Sequence, residues 1–174
     1  VNTMLTPEEL EYVANDCGSK AIITSSDKVA GIRAITEISD VSCIISFGAN
    51  VDKGVVSFDT LIATDSVVPN PTKIAPTSLS TIGYTSGTMG HPKGAMQSHQ
   101  AVIMNGAMTN QMHMRGHDDC IISALPCPHV YANVIMMSMM MFGSKLVLHR
   151  TFDADAVLAD IEKHQATIVD GVPA

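Results

Sequence analysis

Short apolar segments alternate with helix-patterned segments along most of this chain. Residues 20–24 and 41–47 are predicted to be buried strands, and the helical pattern of residues 27–38 lies between them. Because a parallel neighbour can be reached only through a crossover connection, strands separated by helices of this length favour a parallel sheet. The chain is therefore predicted to be α/β, with a mostly parallel sheet flanked by helices.

The second half of the sequence continues this alternation. Further strands are predicted at residues 79–84, 94–97, 121–125, 145–149 and 166–169, and helices after Ser98 and at residues 130–142 and 153–164. The first of these helices is predicted to carry the apolar residues Val102, Ile103, Ala107, Met108 and Met112, and the apolar face of the last is predicted to consist of Val157, Leu158 and Ile161. Thr6, with Glu9 three residues on, predicts a capping box that begins the first helix, and Gly18 predicts its end.

Two portions are predicted within a single domain. Residues 1–78 form a first α/β portion that closes with a proline-rich linker at residues 66–78, and residues 79–174 form the second. The second portion contains a distinctive loop at residues 84–94.

Residues 84–94 concentrate three aliphatic hydroxyls, three glycines and one lysine in this single loop. Glycines let a ligand approach the backbone closely, so that successive amides can point at an anion, while hydroxyls and an ammonium add donors for phosphate oxygens. The pattern G-x-x-x-x-G-K-[ST] does not fit, because Pro92 precedes Lys93 and Gly94 follows it. On composition alone, a polyphosphate-binding loop and an ordinary surface turn are both open interpretations.

The full string Y-T-S-G-T-M-G-H-P-K-G at residues 84–94 resembles the signature of the adenylate-forming superfamily, which reads roughly Y-T-S-G-T-T-G-x-P-K-G. The resemblance implies that the loop binds the phosphates of Mg-ATP while a carboxylate attacks the α-phosphate. It assigns catalytic roles to Thr85 and Lys93. It assigns ATP-phosphate binding to Thr85, Ser86, Gly87, Thr88, Gly90 and Lys93. Met89 replaces a threonine of the family signature, which implies weaker phosphate binding than is typical.

This resemblance extends over essentially the whole chain and is strongest from residue 79 onward. It implies part of the N-terminal domain of an acyl-CoA synthetase, an incomplete single domain, whose reaction forms acyl-AMP and then acyl-CoA from ATP, Mg²⁺, coenzyme A and a carboxylic acid. Residues 125–171 are most similar to medium- and long-chain fatty acyl-CoA synthetases. Because the family's adenine-binding motif and catalytic lysine would follow residue 174, this chain is not expected to catalyse adenylation alone.

His129 follows a predicted strand in the segment L-P-C-P-H-V-Y. One interpretation is a hydrogen-bonded histidine at a strand–helix junction. The family resemblance implies a substrate-side residue, because a Pro-x-x-His segment lines the acyl pocket. Pro128 stands where the family often has an aromatic residue, and Ala132 where it has glycine, so the pocket shape is expected to differ.

Composition limits the partners of this chain. The net charge of −7 and the absence of tryptophan argue against nucleic acid as a partner. Four scattered cysteines without a C-x-x-C pair are typical of a cytoplasmic protein. The most apolar run, residues 134–142, is too short to span a membrane, which needs about 20 residues. Self-association through uncovered sheet edges is expected.

No metal site is predicted from the sequence. Five methionines within residues 136–141 are interpreted as a pliable helical core rather than a Cu(I) site, and His113 and His117 as solvated residues at a helix end rather than a zinc pair. Two other functions stay open. One is a non-enzymatic protein that binds nucleotide or a partner, and the other is a phosphate-loop hydrolase with Asp170 as its acidic magnesium ligand.

Overall fold

A computed structural model gives the fold, and it describes residues 5–36, 39–48, 53–63, 72–85 and 91–172. The chain divides into two compact units, the first comprising Thr3–Lys73 with Tyr84–Gly94 and the second Ile74–Gly83 with Ala95–Ala174. Each unit contains a three-stranded sheet in which every described pairing is parallel. The predicted α/β class with a mostly parallel sheet is confirmed.

The first unit carries the sheet β1-β2-β3. Its strands are β1 (Ala21–Ser25), β2 (Cys43–Phe47) and β3 (Val56–Ser57), and its helices are α1 (Pro7–Asp16), α2 (Val29–Thr36) and α3 (Phe58–Ala63), with a 3₁₀ turn at Ser26–Lys28. Ala21 is the register partner of Cys43. The buried side chains come mainly from α1 and α2, which explains why their apolar positions recur at helical spacing.

The second unit carries a two-stranded pair, β4–β5, and the parallel sheet β7-β6-β8. The strands are β4 (Leu79–Thr85), β5 (Lys93–Ser98), β6 (Cys120–Ser123), β7 (Lys145–Leu148) and β8 (Ile168–Asp170), and the helices are α4 (His99–Met112), α5 (Val130–Phe142) and α6 (Ala154–His164). Residues 84–85 and 93–94, at the joined ends of β4 and β5, are assigned to the first unit. The predicted linker at residues 66–78 lies partly outside the described residues.

The core of the second unit forms between β6 and α5. Ile121 on β6 and Ile135 on α5 are 0% and 1% exposed, and Leu125 and Ala132 complete the cluster. Fully burying one such large aliphatic side chain contributes about 1.5–3 kcal/mol to stability. This packing fixes the start of α5 over the carboxyl end of β6.

The predicted helix signals are confirmed. Thr6 Oγ1 accepts a 3.3 Å hydrogen bond from the Glu9 amide, and Glu9 Oε2 accepts a 2.9 Å bond from the Thr6 amide. Gly18 has φ +63°, in the left-handed region that ends a helix without a steric penalty. Ser98 caps α4 and Asp153 caps α6 through side-chain bonds to the amides of Ala101 and Ala156.

The apolar residues of α4 are not its buried positions. Met108 and Met112 are 63% and 72% exposed, whereas the buried residues of the helix are Gly106 and Asn110. α4 packs on α5 at Gly106, where an added Cβ would lie 3.2 Å from the Met141 sulfur. The smallest residue therefore faces the neighbouring helix because the two backbones approach closely there.

Other apolar positions are also more exposed than predicted. The predicted buried strand at residues 20–24 exposes Ile23 to 60%, and the predicted core positions Met140 and Leu158 are 66% and 63% exposed. A three-stranded sheet with few helices leaves apolar side chains that none of the described elements covers. Within the described ranges, no helix combines the length and apolar character that crossing a membrane requires.

Candidate functional site

The pair β4–β5 carries Thr85 and Lys93 at its joined ends. β4 ends at Thr85 and β5 begins at Lys93, so seven residues connect them. Parallel strands need a connection of about a dozen residues or more, so β4 and β5 run antiparallel. Thr81 Oγ1 lies 2.9 Å from Gln97 Oε1 further along the same two strands, consistent with this pairing. Thr85 and Lys93 thus lie at one end of the pair, and both are exposed.

Tyr84, directly before Thr85, is held by α1. Its hydroxyl donates a 2.5 Å hydrogen bond to Oδ2 of Asp16, the last residue of that helix. Desolvation of the phenol, followed by the hydrogen bond to the Asp16 carboxylate, raises the pKa of Tyr84 well above its usual range. The phenol is therefore a neutral donor at physiological pH.

His91, two residues before Lys93, also contacts α1. Its ring stacks on Tyr12, with ring centroids 4.5 Å apart and an interplanar angle of 16°. Stacked aromatic contacts contribute about 0.5–1.5 kcal/mol beyond their buried area. The family signature leaves this position variable, so the sequence pattern alone gave no signal for the contact.

Four of the predicted phosphate-binding residues cannot be placed. Ser86, Gly87, Thr88 and Gly90 lie outside the described residues, as does Met89. The residues on either side of them, Thr85 and His91, are described. The roles of Ser86, Gly87, Thr88 and Gly90 in phosphate binding stay predictions from the sequence.

His129 belongs to the second unit, where it caps α5. Its Nδ1 accepts a 3.2 Å hydrogen bond from the amide of Tyr131, and its own carbonyl accepts from the amide of Asn133 at 3.1 Å. Because Nδ1 is an acceptor, the neutral ring carries its proton on Nε2. His129 is exposed, so the ring offers this N–H donor beyond the carboxyl end of β6. The predicted strand–helix junction is thus present.

A buried polar cluster lies beneath that edge of the sheet. Asp170, the last residue of β8, contacts Arg115, whose Nη2 lies 2.9 Å from Oδ1 and 2.8 Å from Oδ2. The hydroxyl of Tyr131 donates to the same Oδ1 at 2.7 Å. Desolvation and then the hydrogen bond to Asp170 raise the pKa of Tyr131 above its ordinary value. Neither Arg115 nor Tyr131 was singled out from the sequence, because nothing in the local pattern links positions so far apart.

This cluster bears on the hydrolase hypothesis. That hypothesis needs Asp170 as an open magnesium ligand, but both of its carboxylate oxygens face Arg115, and the side chain is 7% exposed. The carboxylate is therefore already neutralised by a guanidinium, which argues against this hypothesis.

The histidine pair at the end of α4 does not share a helical face. His113 follows the last residue of α4, and Met114 beyond it has φ 51°, in the left-handed region. His117 lies beyond this break, with Nε2 3.1 Å from Asp118 Oδ1, and its side chain is 80% exposed. The prediction of solvated histidines at a helix end is confirmed.

Comparison with known proteins gives one family and a consistent set of relatives. The AMP-binding enzyme family matches residues 1–174. An indoleacetate–CoA ligase of Aromatoleum aromaticum is 33% identical over 171 residues, which make up 97% of this chain and 33% of that protein. A 4-coumarate–CoA ligase of Narcissus pseudonarcissus is 28% identical over 178 residues, covering 99% of this chain and 32% of that protein.

A solved structure shows the same architecture. The crystal structure of ATP-bound MatB from Rhodopseudomonas palustris matches with a TM-score of 0.84 at 29% identity. The match covers 99% of this chain and 33% of that one. The chain thus spans about a third of the length of the relatives it matches.

Proposed function

This chain belongs to the AMP-binding enzyme family, and on that premise we propose that the protein carrying it is an ATP-dependent acid–thiol ligase. In the first step a carboxylate oxygen attacks the α-phosphorus of ATP, and the bond from that phosphorus to the bridging oxygen breaks to release pyrophosphate. In the second step the thiol of coenzyme A attacks the acyl carbon, the thiol proton is lost to solvent, and AMP leaves. The match of the family over all 174 residues, including the loop at residues 84–94, carries this proposal.

The loop is proposed to bind the β- and γ-phosphates. Lys93 provides an ammonium and Thr85 a hydroxyl, and the exposure of both at one end of β4–β5 supports this role. Ser86 and Thr88 would add hydroxyl donors, and the backbone at Gly87 and Gly90 would add amides that can approach the phosphates closely. Charge that develops on the departing pyrophosphate would be stabilised by these fixed donors, which is electrostatic catalysis with no covalent step for the protein.

The donor set fits phosphate better than it fits a resident metal ion. In the part of the chain that the structure describes, no group of three or more His, Cys, Asp or Glu side chains could hold a metal. We therefore propose that Mg²⁺ would be supplied together with ATP, where it would help to neutralise the phosphate charge, rather than being held by a site of this chain.

His129 is proposed to contact the acid substrate. Its Nδ1 is occupied by the Tyr131 amide, which leaves the exposed Nε2–H to donate to a carboxylate oxygen of the acid. Ligands of open α/β sheets bind beyond the carboxyl ends of the strands, and His129 follows the carboxyl end of β6. A donor here would orient the acid without changing its charge.

For the acid substrate we propose a general class, and within that class a narrower candidate. A carboxylic acid is common to the relatives, whose names specify indoleacetate and 4-coumarate, both aromatic. The similarity of residues 125–171 to fatty acyl-CoA synthetases favours a medium- or long-chain fatty acid as the finer proposal. The aromatic acids are the second candidate, because they are the substrates named for these relatives.

The deciding experiment is ATP–pyrophosphate exchange by the native protein that carries this chain, with a panel of fatty and aromatic carboxylic acids. Acid-dependent exchange followed by acyl-CoA formation is expected, and Lys93→Ala should abolish most of the exchange while Lys93→Arg retains more.

ATP binding without acid-dependent exchange would instead support a non-enzymatic nucleotide- or partner-binding protein, which Met89 and Pro128 favour. We propose that the 174 residues expressed by themselves show no exchange, since they span only about a third of the relatives.

A further inference from the structure

We propose that α1 positions the phosphate loop, with Tyr12 and Asp16 as positioning residues that hold its two ends. Tyr12 stacks on His91 in the second half of the loop, and Asp16 accepts the hydrogen bond from Tyr84, the first residue of the loop. This inference rests on the proposed function of residues 84–94 and assigns roles to residues outside that loop.

The two contacts come from one face of one helix. Tyr12 and Asp16 are four residues apart in α1, and side chains at this spacing are neighbours, with Cβ atoms about 5–6 Å apart. Their partners, Tyr84 and His91, enclose the six residues 85–90. A rigid helix therefore constrains the distance between Tyr84 and His91, the loop residues on either side of residues 85–90.

The position of Asp16 is unfavourable for the helix itself. It is the last residue of α1, where the partial negative charge of the helix terminus disfavours a carboxylate, and the last turn carries no basic side chain. The favourable interaction found for Asp16 is the bond from Tyr84, which supports a role in holding the loop rather than in forming α1.

Holding both ends should raise phosphate affinity through preorganisation. A loop whose donors already point in the bound arrangement loses less conformational entropy when ATP binds. Because Asp16 and Tyr12 do not touch the phosphates in this scheme, their loss should weaken ATP binding and leave the binding of the acid unchanged.

The test uses the native protein that carries this chain, with MgATP as the probe in calorimetric titration. Asp16→Ala and Tyr12→Ala are each expected to raise the dissociation constant of MgATP by roughly three- to tenfold, the effect of losing one modest contact. Asp16→Asn keeps an acceptor for Tyr84 and Tyr12→Phe keeps the stacked ring, so both should stay within about twofold of wild type. Asn15→Ala, an exposed neighbour on the same helix, controls for changes in helix stability.

A second readout separates positioning from simple destabilisation. In pyrophosphate exchange, KM for ATP should rise in the two alanine variants while KM for the acid stays constant. Wild-type MgATP affinity in both alanine variants, or a parallel rise in both KM values, would overturn the inference. If the native protein shows no exchange but binds MgATP in a way that depends on Asp16 and Tyr12, the proposed ligase function fails and the positioning role stands. If it binds no MgATP, both fail.

Discussion

Arg115 and Asp170 form a buried ion pair between residues 55 positions apart, with Nη2 of the guanidinium 2.8 Å from Oδ2 of the carboxylate. The two side chains are 1% and 7% exposed, and Nε and Nη1 of Arg115 have no hydrogen-bond partner within the described structure. The pair joins the segment after α4 to the carboxyl end of β8. It therefore links two stretches of chain that share no local sequence pattern.

Removing one partner of this pair should destabilise the fold strongly. Asp170→Ala leaves the Arg115 guanidinium buried without a counter-charge, which typically costs about 3–5 kcal/mol in the free energy of unfolding. The exposed pair Lys20–Asp40, with side chains 69% and 76% exposed, is the control. Asp40→Ala should cost much less, because an ion pair between exposed side chains contributes little to stability. Urea unfolding measures both, and equal losses in the two variants would contradict the expectation.

Among the described residues at the ends of the loop, Lys93 should be the one whose substitution lowers activity most. Lys93→Ala removes the ammonium proposed to contact the phosphates, and loss of one such charge-stabilising donor typically lowers the rate by about 10²–10³-fold. Lys93→Arg keeps the charge but changes its geometry, so an intermediate loss is expected. Pyrophosphate exchange at saturating acid measures the effect. Activity of Lys93→Ala within about threefold of wild type would remove Lys93 from the mechanism.

Restoring the family's threonine should tighten nucleotide binding. Met89→Thr adds a hydroxyl that can donate to a phosphate oxygen, and one net hydrogen bond corresponds to roughly fivefold in the dissociation constant of MgATP. Met89→Val has the same branched shape without the hydroxyl and should give no such gain. If both variants change affinity equally, side-chain shape rather than hydrogen bonding is responsible.

The contact between Tyr84 and Asp16 predicts that the Tyr84 hydroxyl loses its proton at a higher pH than an ordinary tyrosine does. The folded-state pKa of Tyr84 is raised above its ordinary value of about 10, so its stabilising contribution is complete below about pH 10 and is lost as pH rises through the higher folded value. Near-ultraviolet absorbance should show that Asp16→Ala moves one tyrosine to lower pH. Tyr84→Phe should remove the same high-pH absorbance change from the titration. An unchanged titration in Asp16→Ala would show that desolvation alone sets this pKa.

The hydrogen bonds of Asp119 predict a contribution to stability that depends on pH and is lost in acid. The Thr167 hydroxyl donates a 2.7 Å hydrogen bond to Oδ1, the Gly116 amide donates one of 2.7 Å to Oδ2, and these bonds lower the pKa of Asp119 below its ordinary value. The stabilisation is present above about pH 4 and is lost as pH falls through the lower folded value.

Thr167→Val tests this contribution, and Thr167→Ser, which keeps the hydroxyl, is the matched control. The difference in unfolding free energy between wild type and Thr167→Val should be largest near neutral pH and should shrink below about pH 4. Thr167→Ser should follow wild type. A difference between wild type and Thr167→Val that does not vary with pH would mean that Asp119 does not sense the Thr167 hydroxyl.

The local features of the fold were predictable from the sequence, because they depend on neighbouring residues. The capping box of Thr6 and Glu9, the stop at Gly18 and the bounds of α5 follow from side-chain-to-backbone bonding and backbone freedom within a few positions. The alternation of strands and helices likewise fixed the α/β class, since it limits how neighbouring strands can be joined. The proposal of a phosphate loop at residues 84–94 rests in the same way on a contiguous string of residues.

The tertiary structure decided which of these elements touch. Gly106 rather than Met108 faces α5, because close approach of two helices selects the smallest side chain, whatever the apolar pattern. The partners of Tyr84 and Asp170 lie 68 and 55 positions away in the chain. Such contacts arise only when folded elements bring distant residues within hydrogen-bond distance, so no local pattern in the sequence specifies them.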